Sequence, residues 1–408
     1  MSTHTVQTLE TFAGGVASPQ GFTASGQYVG IKAAGRGLDL ALIVSDRPAT
    51  AAGVFTTNKA QAAPVTVSKA HLAATSGTAR AVIVNSGCAN ACTGAVGMQD
   101  AKEMATLTAS LVGCPAEQVL VASTGVIGVS LKMDKIRAGL AGAVGALGSD
   151  QGPAAAKAIM TTDPFPKEAA ARVSINGVNV TVGGMAKGSG MIEPMMATML
   201  GFITTDAAVP QPLLARALRE VTDDTFNAIT VDGECSTNDC VMLLANGASG
   251  VTIDASTYDA FADAVRAVCL PLALGIVRGG EGATKLVTVN VTGAASSDEA
   301  RRCAKAIANS PLVKTAIHGG DPNWGRLIAV AGRAGVAFEL EKAAVTIGPI
   351  VLFKDGRPYD ERAPEAANYL KNDELTLTVH LGAGTASSTV WTCDLSAEYV
   401  KINAEYRT

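Results

Sequence analysis

Residues Ala186 to Leu200 read AKGSGMIEPMMATML, and Thr198 is the residue in this stretch whose type and setting could carry a reaction. A hydroxyl nucleophile needs a base within reach. The chain has four histidines, His4, His71, His318 and His380, none beside a Ser or Thr in a recognisable triad pattern. Cutting the Ala197–Thr198 peptide bond would supply the base directly. Thr198 would become an N-terminal threonine whose own α-amine, with an ordinary pKa of about 7.7–8.0, takes the proton from its Oγ. One residue then provides nucleophile and base.

The neighbouring residues suit such a cut. Gly188 and Gly190 reach backbone angles closed to other residues, and Pro194 fixes its own φ and restricts Glu193 before it. Ala197 is small and leaves its carbonyl open, while β-branching limits the Thr198 rotamer so that its hydroxyl can be aimed at that carbonyl. The apolar run Met199-Leu200-Gly201-Phe202-Ile203, closed by Thr204-Thr205-Asp206, predicts a buried strand with Thr198 at its first position. Lys187-Gly188-Ser189-Gly190 is no P-loop, because there the lysine follows the glycines and precedes Ser or Thr. Met191, Met195, Met196 and Met199 read as adaptable core filler. Taken alone, a Thr after an Ala at a strand start is normally structural, so local chemistry does not decide the matter.

The elements that must position this segment are those of a mixed α/β protein. Apolar residues make up 48% of the 408-residue chain, with a mean hydropathy of +0.26, enough for a large core and two or three domains. Aromatics are only 4%, so the core must be built from Ala, Val, Leu, Ile and Met, with 43 glycines allowing close backbone approach. Strands are expected at Leu38–Val44, Ala81–Val84, Val119–Ala122, Val178–Val182, Lys285–Val291 and Leu375–His380. Helices are expected over about Met98–Val112, Pro212–Val221 and Ser256–Leu272. Gly139, Gly142, Gly145 and Gly148 follow residues of helical character, which argues for packing at a helix end over a dinucleotide-binding loop.

Several function classes drop out. A net charge of −4 and a pI near 5.7 give no basic footprint for nucleic acid, and small molecules are the expected partners. The N-terminus lacks the pattern of a secretory signal, no run of about 18 apolar residues is apparent, and eight scattered cysteines read as reduced thiols; a cytoplasmic protein is expected. Cys88 and Cys92 have no second Cys/His pair at zinc spacing, and Asp232, Glu234 and Asp239 lack the spacing of a calcium loop, so both groups read as non-metal residues.

The string GGMAKGSGMIEPMMATML closely resembles the signature of the ornithine acetyltransferase family, bifunctional glutamate N-acetyltransferase/amino-acid acetyltransferases. The likeness covers essentially the whole chain. It extends through GIKAAGRGLDLALI (Gly30–Ile43), VIVNSGCANACTG (Val82–Gly94), VASTGVIG (Val121–Gly128), IMTTDPFPK (Ile159–Lys167), DGECSTND (Asp232–Asp239), VKTAIHGGDPNWGR (Val313–Arg326) and the tail from Thr392.

The resemblance implies an α/β enzyme with two stacked β-sheets flanked by helices, of the N-terminal-nucleophile kind, that cleaves itself into an α chain (1–197) and a β chain (198–408). It implies acetyl transfer from N-acetylornithine to glutamate through an acetyl-Thr198 intermediate, in arginine biosynthesis, with acetyl-CoA an additional donor in bifunctional members and no metal or organic cofactor. Thr124 and Gly125 would form the oxyanion hole. Thr161, Lys187, Thr198, Glu281, Asn403 and Thr408 would contact substrate, Lys187 suiting a carboxylate and Glu281 an amine. A heterotetramer of two α and two β chains is implied as well. His318, in a family-like segment, is expected to be structural. Two other readings stay open at this point: a self-processing aminopeptidase or amidohydrolase of similar fold, and a non-catalytic acyl- or nucleotide-binding protein.

Overall fold

The computed structural model describes residues 8–193 and 199–405. Ala197, Thr198 and Thr408 therefore lie outside the described residues. Nine strands, interspersed with helices, build the first sheet: β1 (Leu9–Phe12), β2 (Phe22–Gln27), β3 (Leu40–Phe55), β4 (Thr78–Cys88), β5 (Val119–Val126), β6 (Lys167–Ile175), β7 (Val178–Lys187), β8 (Leu200–Thr205) and β9 (Cys240–Ala245). These form one sheet in the order β1-β6-β7-β8-β9-β3-β4-β5, with β2 paired on the free side of β3.

The sixteen-residue β3 organises this sheet. Its first half lies between β2 and β4, its register shifts between Val44 and Ala49, and its second half pairs with β9. Alternate residues Ala41, Ile43, Ala49 and Ala51 join one inner core, together with Val82 and Val84 of β4, Leu120 and Ala122 of β5, Leu200 and Phe202 of β8, and Met242 and Leu244 of β9. The helix lining that core, α4 (Gly152–Ala158), has only seven residues and cannot cover such a face. Residues from the strands on both sides of β3 thus share that one core.

Helices cover both outer faces. Over the first half lie α1 (Ala63–Ala74), α2 (Gly94–Val112) and α3 (Met133–Gly145), packed on Leu40, Leu42, Ile83 and Val121. Gly139 packs against Val29 from the middle of α3, not from its end, while Gly142 and Gly145 have open space where a side chain would stand. Over the second half lie α5 (Gln211–Asp224) and α6 (Tyr258–Arg278), packed on Val182, Ile203, Val241 and Leu243.

Helix α6 is the one described helix of membrane-spanning length and hydropathy, although charges interrupt its apolar run. Its most apolar stretch has a mean hydropathy of 1.8. It is a core helix: 61% of that stretch is buried, chiefly on β6 and β7.

The second sheet has the order β13-β12-β11-β14-β10-β15, from β10 (Leu286–Ala294), β11 (Ala344–Ile347), β12 (Ile350–Lys354), β13 (Arg357–Pro358), β14 (Glu374–His380) and β15 (Ala386–Cys393). Helices α7 (Ser297–Ala308), α8 (Pro311–His318), α9 (Trp324–Arg333) and α10 (Ala363–Tyr369) close its separate core. The last helix, α11 (Ala397–Glu405), lies against two loops, Tyr399 reaching Asp232 and Asn403 reaching Glu281.

Candidate active site

An open cleft of about 870 Å³, mouth included, lies where the ends of β5, β7 and β8 converge with the 232–239 loop, the loop after α6, and α11. Of the residues singled out in the sequence, Thr124, Gly125, Thr161, Lys187, Glu281 and Asn403 all line it. Met199 and Leu200, which follow Thr198 in the chain, line it too.

The first wall is the end of β5. That strand runs on to Val126, beyond the apolar stretch that ended the sequence-based strand at Ala122. Opposite Gly125 lies Gly87, and Cys88 then faces both Thr124 and Val126, a bulge that turns the strand end toward the cleft. Gly125 has φ +131°, and a side chain there would strike the backbone of Gly87 and Cys88. Only glycine fits.

The second wall is cationic. Lys187, at the end of β7, is 8% exposed and donates from Nζ to Thr124 Oγ1 at 3.1 Å. Asp163 stands behind it. Its Oδ1 accepts from Lys167 Nζ at 2.6 Å and from the Gly188 N–H at 2.7 Å, while Oδ2 accepts the Thr161 N–H at 3.0 Å. Burial alone would raise the Asp163 pKa, but the charges of Lys187 and Lys167 and these hydrogen bonds hold it at about 2. Lys32 lies nearby, its Nζ bonded to the carbonyls of Leu38 and Met160; burial pushes its ammonium down to about 8, with Asp39 opposing the shift and Lys187 adding to it. Three lysines thus surround Asp163, and the surplus positive charge favours an anion.

The opposite wall is acidic. Glu281 is 7% exposed, and its carboxylate sits so close to Gly190 that any side chain at 190 would run into it. Asn403 of α11 donates to Glu281 Oε2 at 2.9 Å. Asp232 accepts the N–H groups of Met191 and Ile192 at 2.7 and 2.8 Å, and Tyr399 donates its hydroxyl to the same carboxylate at 3.2 Å. Glu234 and Asp239 complete this side of the lining. Asp232, Glu234 and Asp239 are loop acids, as expected, but the loop they occupy faces the cleft.

Other sequence candidates lie apart. His318 is outside the cleft: its Nδ1 pairs with Asp394 Oδ2 at 2.7 Å, and Asp394 also accepts from Thr284 and Lys285, which fastens the chain just beyond Glu281. All eight cysteines are free, and the buried Cys88 donates its thiol to the Val129 carbonyl. Sequence reasoning missed Asp163, Asn238 and Tyr399. The TTD and STND strings contain the first two, but nothing in their spacing announces a buried carboxylate or amide.

The cleft can hold a small zwitterion between its cationic and acidic walls and present an acyl carbonyl to Thr124 and Gly125. The ArgJ family model matches residues 23–408. The chain belongs to the ArgJ family. The arginine biosynthesis bifunctional protein ArgJ of Symbiobacterium thermophilum is 51% identical over 406 residues, covering 98% of this chain and 100% of that protein. The protein of the same description from Geobacillus stearothermophilus is 47% identical over 398 residues, covering 97% and 96%. Among solved structures, an arginine biosynthesis bifunctional protein from Bacillus halodurans is 45% identical, covers 51% of this chain and 100% of its own, and superposes with a TM-score of 0.50. An ornithine acetyltransferase from Mycobacterium tuberculosis, complexed with ornithine, is 44% identical over 47% of this chain and 100% of its own, with a TM-score of 0.43. As an ArgJ-family member, the chain is an ornithine acetyltransferase of arginine biosynthesis, which sets aside the hydrolase and the non-catalytic readings.

Proposed function

We propose that Thr198 acts twice: first on the Ala197 carbonyl of its own chain, and then, as the N-terminus of the 198–408 chain, on the acetyl group of N-acetylornithine. The single observation that carries this reading is the convergence of Thr124, Gly125, Thr161, Lys187, Glu281 and Asn403 on one cleft whose edge is formed by Met199 and Leu200. The Bacillus halodurans chain adds support, since it is matched along its whole length yet spans half of this one.

In the transfer step Thr198 Oγ attacks the acetyl carbon while its α-amine takes the hydroxyl proton. The oxyanion receives the Thr124 hydroxyl and the Gly125 N–H; the C–N bond then breaks, and the proton passes to the departing ornithine amine. The glutamate amine attacks the acetyl-Thr198 ester in the reverse sense, and acetylglutamate leaves. The cationic wall around Lys187, with Thr161, takes the substrate carboxylate. Glu281, held by Asn403, takes an ammonium, and Thr408 is a further substrate contact. Both half-reactions exchange one acyl bond for another, so no metal or organic cofactor is required. Acetyl-CoA is a second acetyl donor if the chain is bifunctional, and the assembly is a cytoplasmic heterotetramer of two chains of each kind.

Intact-mass analysis tests the reading. Two species dividing at Ala197/Thr198, and transfer of labelled acetyl from acetylornithine to glutamate, are the expected results. A fully active single chain of 41.2 kDa would overturn it.

A further inference from the structure

Asn238 lies just before β9 and lines the cleft, yet it has no place in the chemistry above. It is 5% exposed. Its Nδ2 donates twice, to the Ala89 carbonyl at 2.6 Å and to the Ser123 carbonyl at 2.9 Å, and its Oδ1 accepts the Thr237 hydroxyl at 2.6 Å. Two carbonyls can be met only by an NH2 group, so the amide orientation is fixed by its partners.

Those partners frame the oxyanion wall. Ser123 immediately precedes Thr124, and Ala89, whose N–H bonds to the Val126 carbonyl, follows the β4 bulge opposite Gly125. A second buried asparagine reinforces the frame, Asn85 accepting the Ser123 hydroxyl at 2.6 Å and donating to the Cys88 carbonyl at 2.8 Å. At its other end the Asn238 segment reaches Met199 and β8, which follow Thr198 in the chain. Cys240, two residues on, donates its N–H to the Met199 carbonyl, and β8 and β9 begin in parallel register at Leu200 and Cys240.

We infer that Asn238 is a positioning residue that sets the distance between the oxyanion donors on β5 and β8, the strand that follows Thr198 in the chain. The inference rests on the proposed roles of Thr198, Thr124 and Gly125. A shift of about 1 Å between reacting groups can cost on the order of 10²-fold in rate, and only the transition state feels the oxyanion contacts in full. Loss of this pin lowers kcat and leaves ground-state binding in place.

Asn238→Asp keeps the shape but turns a carboxylate oxygen toward two carbonyls; Asn238→Ala removes the amide without adding repulsion. The expected result for both is slower precursor cleavage in timed intact-mass analysis of cell-free synthesis, and kcat per cleaved molecule lower by roughly 10²-fold. KM for acetylornithine and for glutamate stays within threefold. Should Asn238→Asp fail to fold, Asn238→Ala carries the test. A folded Asn238→Ala enzyme with kcat within threefold of wild type would overturn the inference, as would a loss expressed entirely in KM. Thr198→Ala separates the two levels: if it still cleaves and turns over, the underlying reading fails, whereas an inert Thr198→Ala beside a fully active Asn238→Ala defeats this inference alone.

Discussion

Lys187 Nζ and Thr124 Oγ1 are 3.1 Å apart, with both side chains almost entirely withdrawn from solvent. The ammonium can only donate, so it occupies a lone pair of the hydroxyl and leaves the Thr124 proton to point elsewhere, toward the cleft. The cation proposed for substrate binding would thereby also aim the proposed oxyanion donor. Thr124→Ala is expected to lower kcat by roughly 10²–10³-fold with little change in KM. Lys187→Met, by contrast, is expected to lower kcat and raise the glutamate KM together. Steady-state kinetics of the two variants distinguish these outcomes, and a Lys187→Met enzyme altered in KM alone would separate the lysine from Thr124.

Asp163 and Lys167 form a buried pair, their side chains 0% and 2% exposed. Asp163→Asn leaves Lys167 charged without its partner, at an expected cost of about 3–5 kcal/mol in urea unfolding. Asp163→Asn combined with Lys167→Met should recover most of that loss. The folded pKa of Asp163, about 2, lies below its ordinary 3.8. Its charge therefore contributes stability that is complete above about pH 4 and is lost as the pH falls through 2.

Two titrations act in opposite directions near pH 8. In the proposed mechanism the α-amine of Thr198 must be neutral to accept a proton, so kcat should rise through about 7.7–8.0. Lys32, pushed down to about 8 by burial, loses its charge as the pH rises through that value and weakens the cationic wall, so the glutamate KM should rise. Neutral Lys32 still has two N–H groups for the carbonyls of Leu38 and Met160, so the geometry survives. Lys32→Met should abolish the pH dependence of KM and keep that of kcat; a KM profile that stays unchanged in this variant would remove Lys32 from the effect.

Asn403 reaches Glu281 from α11, which as sequence reads like a frayed tail. Truncation after Ile402 should raise the donor KM by about tenfold or more, since Glu281 would lose its partner and the cleft one side. Unchanged kinetics would place the tail outside the site.

Legibility in the sequence followed the strength of local periodicity. Helix α5 was plain because Pro210 and Pro212 mark its start and one stripe of Leu214, Ala217, Leu218 and Val221 is buried. Strand β6 was not. KEAAARVSI has helix-forming residues at its start, yet it pairs with β7 through an Asn176-Gly177 turn with φ of +52° and +80°, the conformation such a pair adopts in a tight hairpin. Strand β9, CVMLLA, is buried on both faces and shows no alternation. In the site, Thr124, Gly125, Thr161, Lys187, Glu281 and Asn403 were placed by the family resemblance of the motifs around them, since their local chemistry alone reads as turns, loop charges and tail. Asn238 and Asp163 were not, because their importance lies in which backbone groups the fold brings to them.

The order β7-β8-β9-β3 gives the closing consequence. If the chain is cut at Ala197/Thr198, β7 and β3 belong to one product and β8 and β9 to the other, interleaved within one hydrogen-bonded sheet. Self-processing would then turn a unimolecular folding problem into a bimolecular one. The precursor should refold from urea at a rate independent of concentration, while the mature enzyme should regain structure in a second-order reaction that slows on dilution. The cut would act as a ratchet, with durability set by how slowly the sheet opens once the route back has become an encounter between strangers.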